Sequence, residues 1–231
     1  MIRLENVTKV YEGGTIAAND VSLDIQKGEF VFLVGPSGSG KSTIVRLMLR
    51  DEPVTRGKIW VAGKDITTLP KWKIPYLRRS VGTVFQDYKL LPNKTVSENV
   101  AFALEVLGRP QSVIAPQVEQ VLELVGLSDK AIRYPRQLSG GEQQRVSIAR
   151  SFVNRPPIMF ADEPTGNLDP KTSVEIMRLL NRINRTGTTI VMATHDHAIV
   201  DAMKRRVVAL EQGKVIRDEE SGGYERVAEG E

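Results

Sequence analysis

The chain has 231 residues, of which 41% are hydrophobic, and its 32 basic and 28 acidic residues give a net charge of +4. It contains no cysteine, which excludes disulfides and thiolate chemistry, and only two histidines, so a histidine-rich metal site is not expected. No apolar run approaches the ~18 residues of a membrane span and no signal peptide is visible, so we expect a cytosolic protein that reaches a membrane only through another subunit.

The first part of the chain predicts three strands. Ile2–Tyr11 has a strand-like pattern that ends in a glycine turn. Val21, Leu23 and Ile25 alternate with polar residues, which is the period of a half-buried strand. Phe30–Val34 is a continuous apolar run, as expected for a strand that is buried on both faces.

The segment Gly35–Ser42 matches the phosphate-binding pattern G-x-x-x-x-G-K-[ST] between a predicted strand and a predicted helix, Thr43–Arg50. Its glycines allow backbone N–H groups to surround phosphate oxygens, and the helix N-terminus adds a partial positive charge. Lys41 would reach the terminal phosphates, and the Ser42 hydroxyl would bind Mg²⁺. The alternative is an ordinary turn rich in small residues, which the flanking elements disfavour.

Short strands and then helices are predicted in the middle of the chain. Lys58–Val61 and Val81–Phe85 have strand patterns, and Gln86 follows the second, where a lone glutamine is usually only a polar edge residue. After this glutamine the apolar spacing becomes helical. Thr95 and Glu98 form a capping box at the start of one helix. We therefore expect a helical insertion that is too small for an independent domain.

A second capping box precedes two glycines that a helix would normally avoid. Ser139 and Glu142 have the capping-box spacing, and Gly140 and Gly141 fall in the first helical turn. Each glycine weakens a helix by up to about 1 kcal/mol relative to alanine, so their use is the close approach of another group to the backbone. A helix N-terminus favours an anion. These residues alone leave open which anion it is, and on which molecule.

Two carboxylates follow the apolar strand Ile158–Ala161. Adjacent carboxylates such as Asp162 and Glu163 are costly at the end of a buried strand unless they face a cation or the mouth of a sheet. In a phosphate-binding fold, Asp162 would hold Mg²⁺ together with Ser42, and Glu163 would accept a proton from the attacking water. The alternative is a solvated acidic turn.

The next part of the chain predicts a helix and a strand. Asp169 is the predicted N-cap of a helix over residues 170–184, and the strand Thr188–Ala193 follows it. His195 stands at the end of that strand, at the edge where open parallel sheets bind their ligands. By itself, a histidine there is more often a solvated or capping residue.

The chain ends in a predicted strand pair, Arg206–Leu210 and Lys214–Arg217. The segment 218–231 is acidic and contains glycine, so we expect it to be mobile. Trp60 and Trp72 have no partner residues that suggest a platform for base stacking, and no internal repeat is visible.

The motifs occur in the order that is typical of ATP-binding-cassette ATPases. They are Gly35–Ser42, Gln86, Leu138–Glu142, Asp162-Glu163, Gly166–Asp169 and His195. The chain resembles one nucleotide-binding domain of that family over nearly its whole length. The resemblance implies an α/β fold, a P-loop NTPase with a RecA-like core, an antiparallel β-subdomain and a helical signature subdomain. The implied boundaries are a single domain at 1–217, with the core at about 1–86 and 155–217 and the helical subdomain at about 87–154.

The resemblance also implies the roles of individual residues in a Mg²⁺-dependent ATPase. The expected ATP-binding residues are Tyr11, which would stack on adenine, and Gly35, Pro36, Ser37, Gly38, Ser39, Gly40, Lys41, Ser42 and Thr43. The expected catalytic residues are Lys41, Gln86, Glu163 and His195, and the expected Mg²⁺ ligands are Ser42, Gln86 and Asp162. The signature residues, which would face the ATP of a second copy, are Leu138, Ser139, Gly140, Gly141 and Glu142. The loop that would couple the two sites contains Asn167, Leu168 and Asp169.

Within the family, the chain is similar to bacterial cell-division ATPases, on segments that include Val84–Leu91 and Met192–Asp196. The resemblance to ATP-binding-cassette ATPases implies a homodimer on ATP binding. The similarity to cell-division ATPases implies an integral membrane partner of the permease type and contact with the cytosolic division machinery. It would place the chain at the cytoplasmic side of the cell membrane, at the division septum, where ATP-driven motion would activate cell-wall hydrolases.

Two other functions were compared with this one. The ATPases of lipoprotein release and of macrolide-type efflux share much of the sequence, so that alternative stays open. A clamp on DNA or on the ribosome is disfavoured, because 231 residues leave no room for a long coiled-coil insertion or a second cassette. We therefore expect no nucleic-acid partner.

Overall fold

The structure is a computed structural model that describes residues 1–224, and it divides into two compact units. The first unit is Met1–Ile74 with the chain from Val191 onward, and the second is Pro75–Ile190.

The strands are β1 (Ile2–Val10), β2 (Ile16–Ile25), β3 (Phe30–Val34), β4 (Arg56–Val61), β5 (Lys64–Asp65), β6 (Gly82–Phe85), β7 (Ile158–Asp162), β8 (Thr189–Ala193), β9 (Arg206–Glu211) and β10 (Lys214–Glu219). The α-helices are α1 (Lys41–Met48), α2 (Ile74–Arg79), α3 (Val96–Glu105), α4 (Gln111–Leu124), α5 (Gly140–Phe152), α6 (Pro170–Arg185) and α7 (His197–Met203). Short 3₁₀ turns cover Lys71–Lys73, Ser128–Lys130 and Pro135–Gln137.

In the first unit, four strands form an antiparallel sheet in the order β2-β1-β4-β5. The register places Ile2 opposite Ile25 and Leu4 opposite Leu23, and these inward-facing side chains are buried. The unit also contains strands in the order β10-β9-β3, in which β3 is parallel to β9 and β10 is antiparallel to it. All five residues of β3 are buried, as the continuous apolar run predicts.

In the second unit, β6 and β7 are parallel, and helix α3 packs against α4 and α5. The predicted capping box at the start of α3 is confirmed, since the Thr95 hydroxyl accepts from the Glu98 amide and the Glu98 carboxylate accepts from the Thr95 amide. Asn99 is fully buried, and its side-chain amide donates to the carbonyls of Leu91 and Lys94 at 3.1 and 2.9 Å. The loop before α3 is therefore fastened to the helix itself.

The last strand continues past the predicted boundary at residue 217, since β10 includes Asp218 and Glu219. Arg206 on β9 binds both carboxylate oxygens of Asp218 at 2.8 Å and donates to Glu29 at 2.9 Å. These two carboxylates hold the pKa of Arg206 above its ordinary value. The predicted mobile segment thus begins with paired residues, and its part from 225 to 231 lies outside the described residues.

The predicted α/β P-loop fold, with an antiparallel sheet and a helical region, is confirmed. The division into a core and a helical subdomain stays a prediction; α3, α4 and α5 lie between residues 96 and 152, in a unit that also contains β6, β7 and α6. The short helices α2 and α7 were not predicted, because six or seven residues give too little periodicity. Within residues 1–224, each helix is too short or too polar to cross a bilayer.

Candidate active site

The loop that follows β3 leaves no room for side chains at two of its glycines. Gly35 has a φ of +138°, and a β-carbon there would lie 2.1 Å from the carbonyl oxygen of Leu210. Gly40 has a φ of +107°, and its β-carbon would lie 2.3 Å from the carbonyl oxygen of Ala17. Only glycine allows this backbone to pass so close to its neighbours, and the result is the bare phosphate-binding loop that the sequence predicts.

Lys41 is the first residue of α1, and its side chain is buried inside this loop. The Lys41 amine donates to the carbonyls of Gly35 and Pro36 at 2.8 and 2.9 Å. The loop is closed on its far side by a hydrogen bond of 3.0 Å from the Gly213 amide to the Ser39 carbonyl. A fixed positive charge therefore lies within a ring of backbone groups, which is the arrangement that binds a polyphosphate.

Two other predicted residues of the site belong to the first unit. Tyr11 is half-buried in the turn after β1, and the Lys9 amine lies 4.8 Å from the centroid of its ring. His195 is exposed and follows Thr194, whose amide donates to the Leu33 carbonyl at 3.1 Å. Leu33 lies two residues before the phosphate-binding loop begins. The residues that follow β8, including His195, therefore begin at the same level of the sheet as the phosphate-binding loop that follows β3.

In the second unit, the acidic pair lies at the end of a buried strand. Asp162 is the last residue of β7 and lies opposite Phe85, the last residue of β6. Gln86 and Glu163 therefore follow neighbouring parallel strands at one edge of the sheet. Glu163 has a φ of +48°, the left-handed conformation that residues other than glycine rarely adopt. Such strain is typical of functional positions.

Gln86 is paired with the loop that precedes α6. Its side-chain amide donates to Asn167 Oδ1 at 3.0 Å, and a β-carbon at Gly166 would lie 2.9 Å from the same Gln86 nitrogen. Asp169 caps α6 by accepting from the Thr172 amide at 3.0 Å, which confirms the predicted N-cap. This structure therefore brings together the predicted Gln86 and Asn167, which are separated by 81 residues in the chain.

The signature segment forms the N-terminus of α5, and the predicted capping box is confirmed. The Ser139 hydroxyl accepts from the Glu142 amide at 3.3 Å, and the Glu142 carboxylate accepts from the Ser139 amide at 2.8 Å. Glu142 also forms an ion pair with Lys130, and this hydrogen bond is the main reason that the pKa of Glu142 is lowered. A β-carbon at Gly141 would lie 2.4 Å from the Thr172 methyl group, so this glycine allows α5 to approach α6.

Sequence reasoning missed the residues of α5 that hold these loops. Gln144 is fully buried, and its amide donates to the carbonyls of Pro164 at 2.6 Å and Phe85 at 3.4 Å. Arg150 donates to the backbone of the loop after β6. The spacing along α5 was the signal that could have identified Gln144 as buried. Gln144 lies three residues after the buried Gly141, and this spacing places both on the inward face of the helix.

Each unit by itself contains residues whose chemistry fits part of a magnesium nucleotide. In the first unit, the glycine-lined loop and the buried Lys41 fit a phosphate chain, and Ser42 offers a hydroxyl oxygen. In the second unit, Gln86 and Asp162 offer oxygen atoms, the type of ligand that Mg²⁺ prefers. Residues 1–224 contain no cluster of three or more His, Cys, Asp or Glu side chains that could hold a metal ion.

Known proteins resemble the chain over nearly its full length. The model of the family described as ABC transporter matches residues 18–166. The cell division ATP-binding protein FtsE of Mycobacterium tuberculosis is 58% identical over 225 residues, which are 97% of this chain and 98% of that protein. FtsE of Bacillus subtilis is 56% identical over 224 residues, with coverages of 97% and 98%. FtsE of Escherichia coli K12 is 48% identical over 213 residues, with coverages of 92% and 96%.

Solved structures resemble the chain to a similar extent. A dimeric ATP-binding cassette in a post-hydrolysis state, bound to ADP and Pi, gives a TM-score of 0.87 at 37% identity and covers 97% of this chain and 100% of that chain. A cassette of the ABC transporter complex cbiONQ from Clostridium perfringens gives a TM-score of 0.89 at 31% identity, with coverages of 95% and 88%.

Proposed function

The chain belongs to the ABC transporter family and is an ATPase subunit of the FtsE type, and from this premise we propose that it powers a membrane complex in bacterial cell division. One observation carries the proposal. The relatives named cell division ATP-binding proteins are 56% and 58% identical to the chain over 97% of its length. ATP is the substrate and Mg²⁺ the cofactor.

The phosphate-binding loop and Tyr11 hold the nucleotide. Backbone N–H groups of Gly35–Ser42 surround the phosphates, and the Lys41 amine neutralises their charge. Lys41 is preorganised for this role, since its amine already lies against the carbonyls of Gly35 and Pro36. The Tyr11 ring stacks on the adenine, and the Lys9 amine that lies near this ring supports its orientation.

Hydrolysis needs a base, a residue that positions the water and a contact to the terminal phosphate. Glu163 accepts the proton of the attacking water at its carboxylate, Gln86 orients that water, and His195 contacts the γ-phosphate. Ser42, Gln86 and Asp162 would hold Mg²⁺, which would neutralise charge on the phosphates when bound. The left-handed backbone at Glu163 and the Gln86–Asn167 hydrogen bond fix the directions of the two side chains.

A second copy completes each site. The signature residues Leu138–Glu142 of one copy face the nucleotide that the other copy holds, and Asn167, Leu168 and Asp169 connect the two sites. The capped N-terminus of α5 supports this role, because the N-terminus of a helix favours an anion such as phosphate. The chain is therefore a homodimer when ATP is bound.

The membrane partner is an FtsX-like integral protein, which holds the chain at the cytoplasmic side of the membrane at the septum. It contacts the chain near Gln86–Leu91 and transmits ATP-driven motion to peptidoglycan hydrolases, and the cytosolic division machinery contacts the same complex. Tyr88, Leu90 and Leu91 offer apolar contacts in this segment. The identity of 56% and 58% to FtsE proteins, against 37% and 31% to the two solved cassettes, supports this choice of partner.

Two substitutions test the ATPase assignment. Lys41→Ala should abolish ATP turnover, because the phosphate charge is no longer neutralised, while Lys64→Ala, which removes an exposed amine, should leave it unchanged. Glu163→Gln should bind ATP but hydrolyse it slowly, and it should therefore accumulate as a dimer in gel filtration with ATP and Mg²⁺. Normal turnover in Lys41→Ala, or only monomer for Glu163→Gln, contradicts the proposal.

The natural absence of cysteine allows the partner to be identified by single-site crosslinking. The full-length chain with Asp87→Cys, an exposed position in the proposed contact segment, is expressed in its own host and crosslinked in membranes. We expect a product with an FtsX-like protein, and none with Lys64→Cys as the matched control. Capture of an exporter permease by Asp87→Cys would instead assign the chain to lipoprotein release or efflux.

A further inference from the structure

Helix α5 touches one turn of the chain at both of its ends and in its middle. We call Phe85–Leu91 the Q turn. Gly140, in the first turn of the helix, lies against the side chain of Tyr88. Gln144, in the middle, donates to the Phe85 carbonyl at 3.4 Å. Arg150, in the last turn, donates to the backbone of the Q turn. The helix that begins with the signature is therefore joined to the Q turn along its whole length.

The backbone of the Q turn is strained, and Arg150 stabilises it. Tyr88 and Lys89 have φ values of +58° and +49°, so two consecutive residues other than glycine adopt the left-handed conformation. The Arg150 guanidinium donates to the Lys89 carbonyl at 2.7 Å and to the Tyr88 carbonyl at 3.1 Å. A planar fork of donors can bind two carbonyls in this way, whereas a lysine presents only a point charge. Burial lowers the pKa of Arg150, which nevertheless stays charged.

The strained backbone directs the Tyr88 side chain onto the signature. A β-carbon at Gly140 would lie 2.9 Å from Tyr88 Oη, 3.8 Å from Tyr88 Cζ and 3.6 Å from Leu168 Cδ2. Gly140 is thus enclosed by the Q turn on one side and by the loop before α6 on the other. Burial raises the pKa of Tyr88, so the phenol that faces the glycine is neutral.

We propose that Tyr88 is a positioning residue, whose side chain holds Gly140 and the start of α5 in the place where the signature meets the ATP of the second copy. This rests on the proposed function of the signature in the dimer. Tyr88 needs no contact with the nucleotide of its own chain. Its loss should therefore weaken ATP-driven dimerisation and turnover, and leave the binding of ATP to the monomer unchanged. A displacement of the Q turn by the membrane partner would reach the signature through the Tyr88 side chain.

The test uses the full chain with Tyr88→Ala, Tyr88→Phe and Arg150→Met, and with Tyr76→Ala as the matched control, since the Tyr76 side chain is 62% exposed. ATP binding is measured by fluorescence titration at protein concentrations where the chain is monomeric. Turnover is measured over a range of concentrations. Dimerisation with ATP is measured by gel filtration in the Glu163→Gln background, and thermal unfolding verifies that each variant is folded.

We expect Tyr88→Ala to lower turnover by about tenfold or more, equivalent to about 1.4 kcal/mol, and to shift the dimerisation of Glu163→Gln to higher protein concentration. Its affinity for ATP should stay within about twofold. Tyr88→Phe keeps the ring but loses the hydroxyl that lies nearest Gly140, so it should fall between Tyr88→Ala and the unaltered chain. Arg150→Met should resemble Tyr88→Ala. Normal turnover and dimerisation in folded Tyr88→Ala would overturn the inference, as would a loss of ATP affinity in the monomer as large as the loss of turnover. Failure of Glu163→Gln alone to dimerise would instead contradict the proposed function.

Discussion

Glu163 combines a proposed catalytic role with a backbone conformation that L side chains disfavour, and the two can be separated by substitution. Its φ is +48°. This conformation destabilises a residue other than glycine by about 1–2 kcal/mol, whereas glycine in place of alanine costs about 0.4–1 kcal/mol of chain entropy. The difference predicts that Glu163→Gly has a free energy of unfolding about 0.8 kcal/mol above that of Glu163→Ala, within a range of about 0–1.6 kcal/mol. Both variants lack the carboxylate, so both should lose turnover by about 10²-fold or more.

Urea unfolding followed by circular dichroism, without nucleotide, measures this difference. For a chain of this size, 1 kcal/mol corresponds to roughly 2–4 °C in melting temperature, so calorimetry gives a second readout. The control pair is Glu119→Gly and Glu119→Ala at an exposed position inside α4, where glycine should be the less stable by about 1 kcal/mol. If glycine at 163 is also less stable than alanine, residue 163 is not left-handed and the argument from strain is refuted.

Two further predictions concern the phosphate-binding loop and the signature. Gly35→Ala places a β-carbon 2.1 Å from the Leu210 carbonyl oxygen. It should destabilise the chain by about 1–3 kcal/mol and abolish ATP binding in calorimetric titration. The control is Gly28→Ala, which also has a positive φ, of +81°, but has open space around its β-carbon, so it should lose stability without losing ATP affinity. The hydrogen bond from Lys130 lowers the pKa of Glu142, so this pair stabilises the fold above the ordinary glutamate pKa of about 4.3 and stops doing so as the pH falls below it. Lys130→Met should therefore reduce the loss of stability between about pH 5 and pH 3 in urea titrations, and an unchanged slope would contradict this.

The features that the sequence predicted well depend only on interactions between residues that are close together in the chain. The run Phe30–Val34 is apolar throughout and forms the fully buried β3. The caps at Thr95, Ser139 and Asp169 are present because each depends on a side chain and an amide three residues away. The loop Gly35–Ser42 has a pattern that only a few backbone conformations can satisfy. At Gly35 and Gly40 a side chain would collide with a neighbouring carbonyl oxygen, and the positive φ also favours glycine.

The features that the sequence did not predict depend on the pairing of distant segments. The Gln86–Asn167 hydrogen bond requires β6 and β7 to end at the same level, and this is set by strand register. The left-handed φ of Glu163 has no local signal, because glutamate gives no indication of that conformation. Gln144 has the polarity of a surface residue, but the phase of α5 places it in the interior.

One buried side chain connects the two strained turns of the second unit. Strands β6 and β7 end opposite each other, and left-handed residues follow both, at Tyr88 after β6 and at Glu163 after β7. Gln144 donates to a carbonyl on each side, at Phe85 and at Pro164. A buried carbonyl that loses its donor is destabilised by about 1–3 kcal/mol, so a rearrangement that moves either carbonyl away from Gln144 carries a cost of this size. The base for hydrolysis and the turn that meets the membrane partner in the proposed function are therefore held by one residue of the signature helix. This gives a physical reason for the glutamine in the interior of α5, where an apolar residue would otherwise pack.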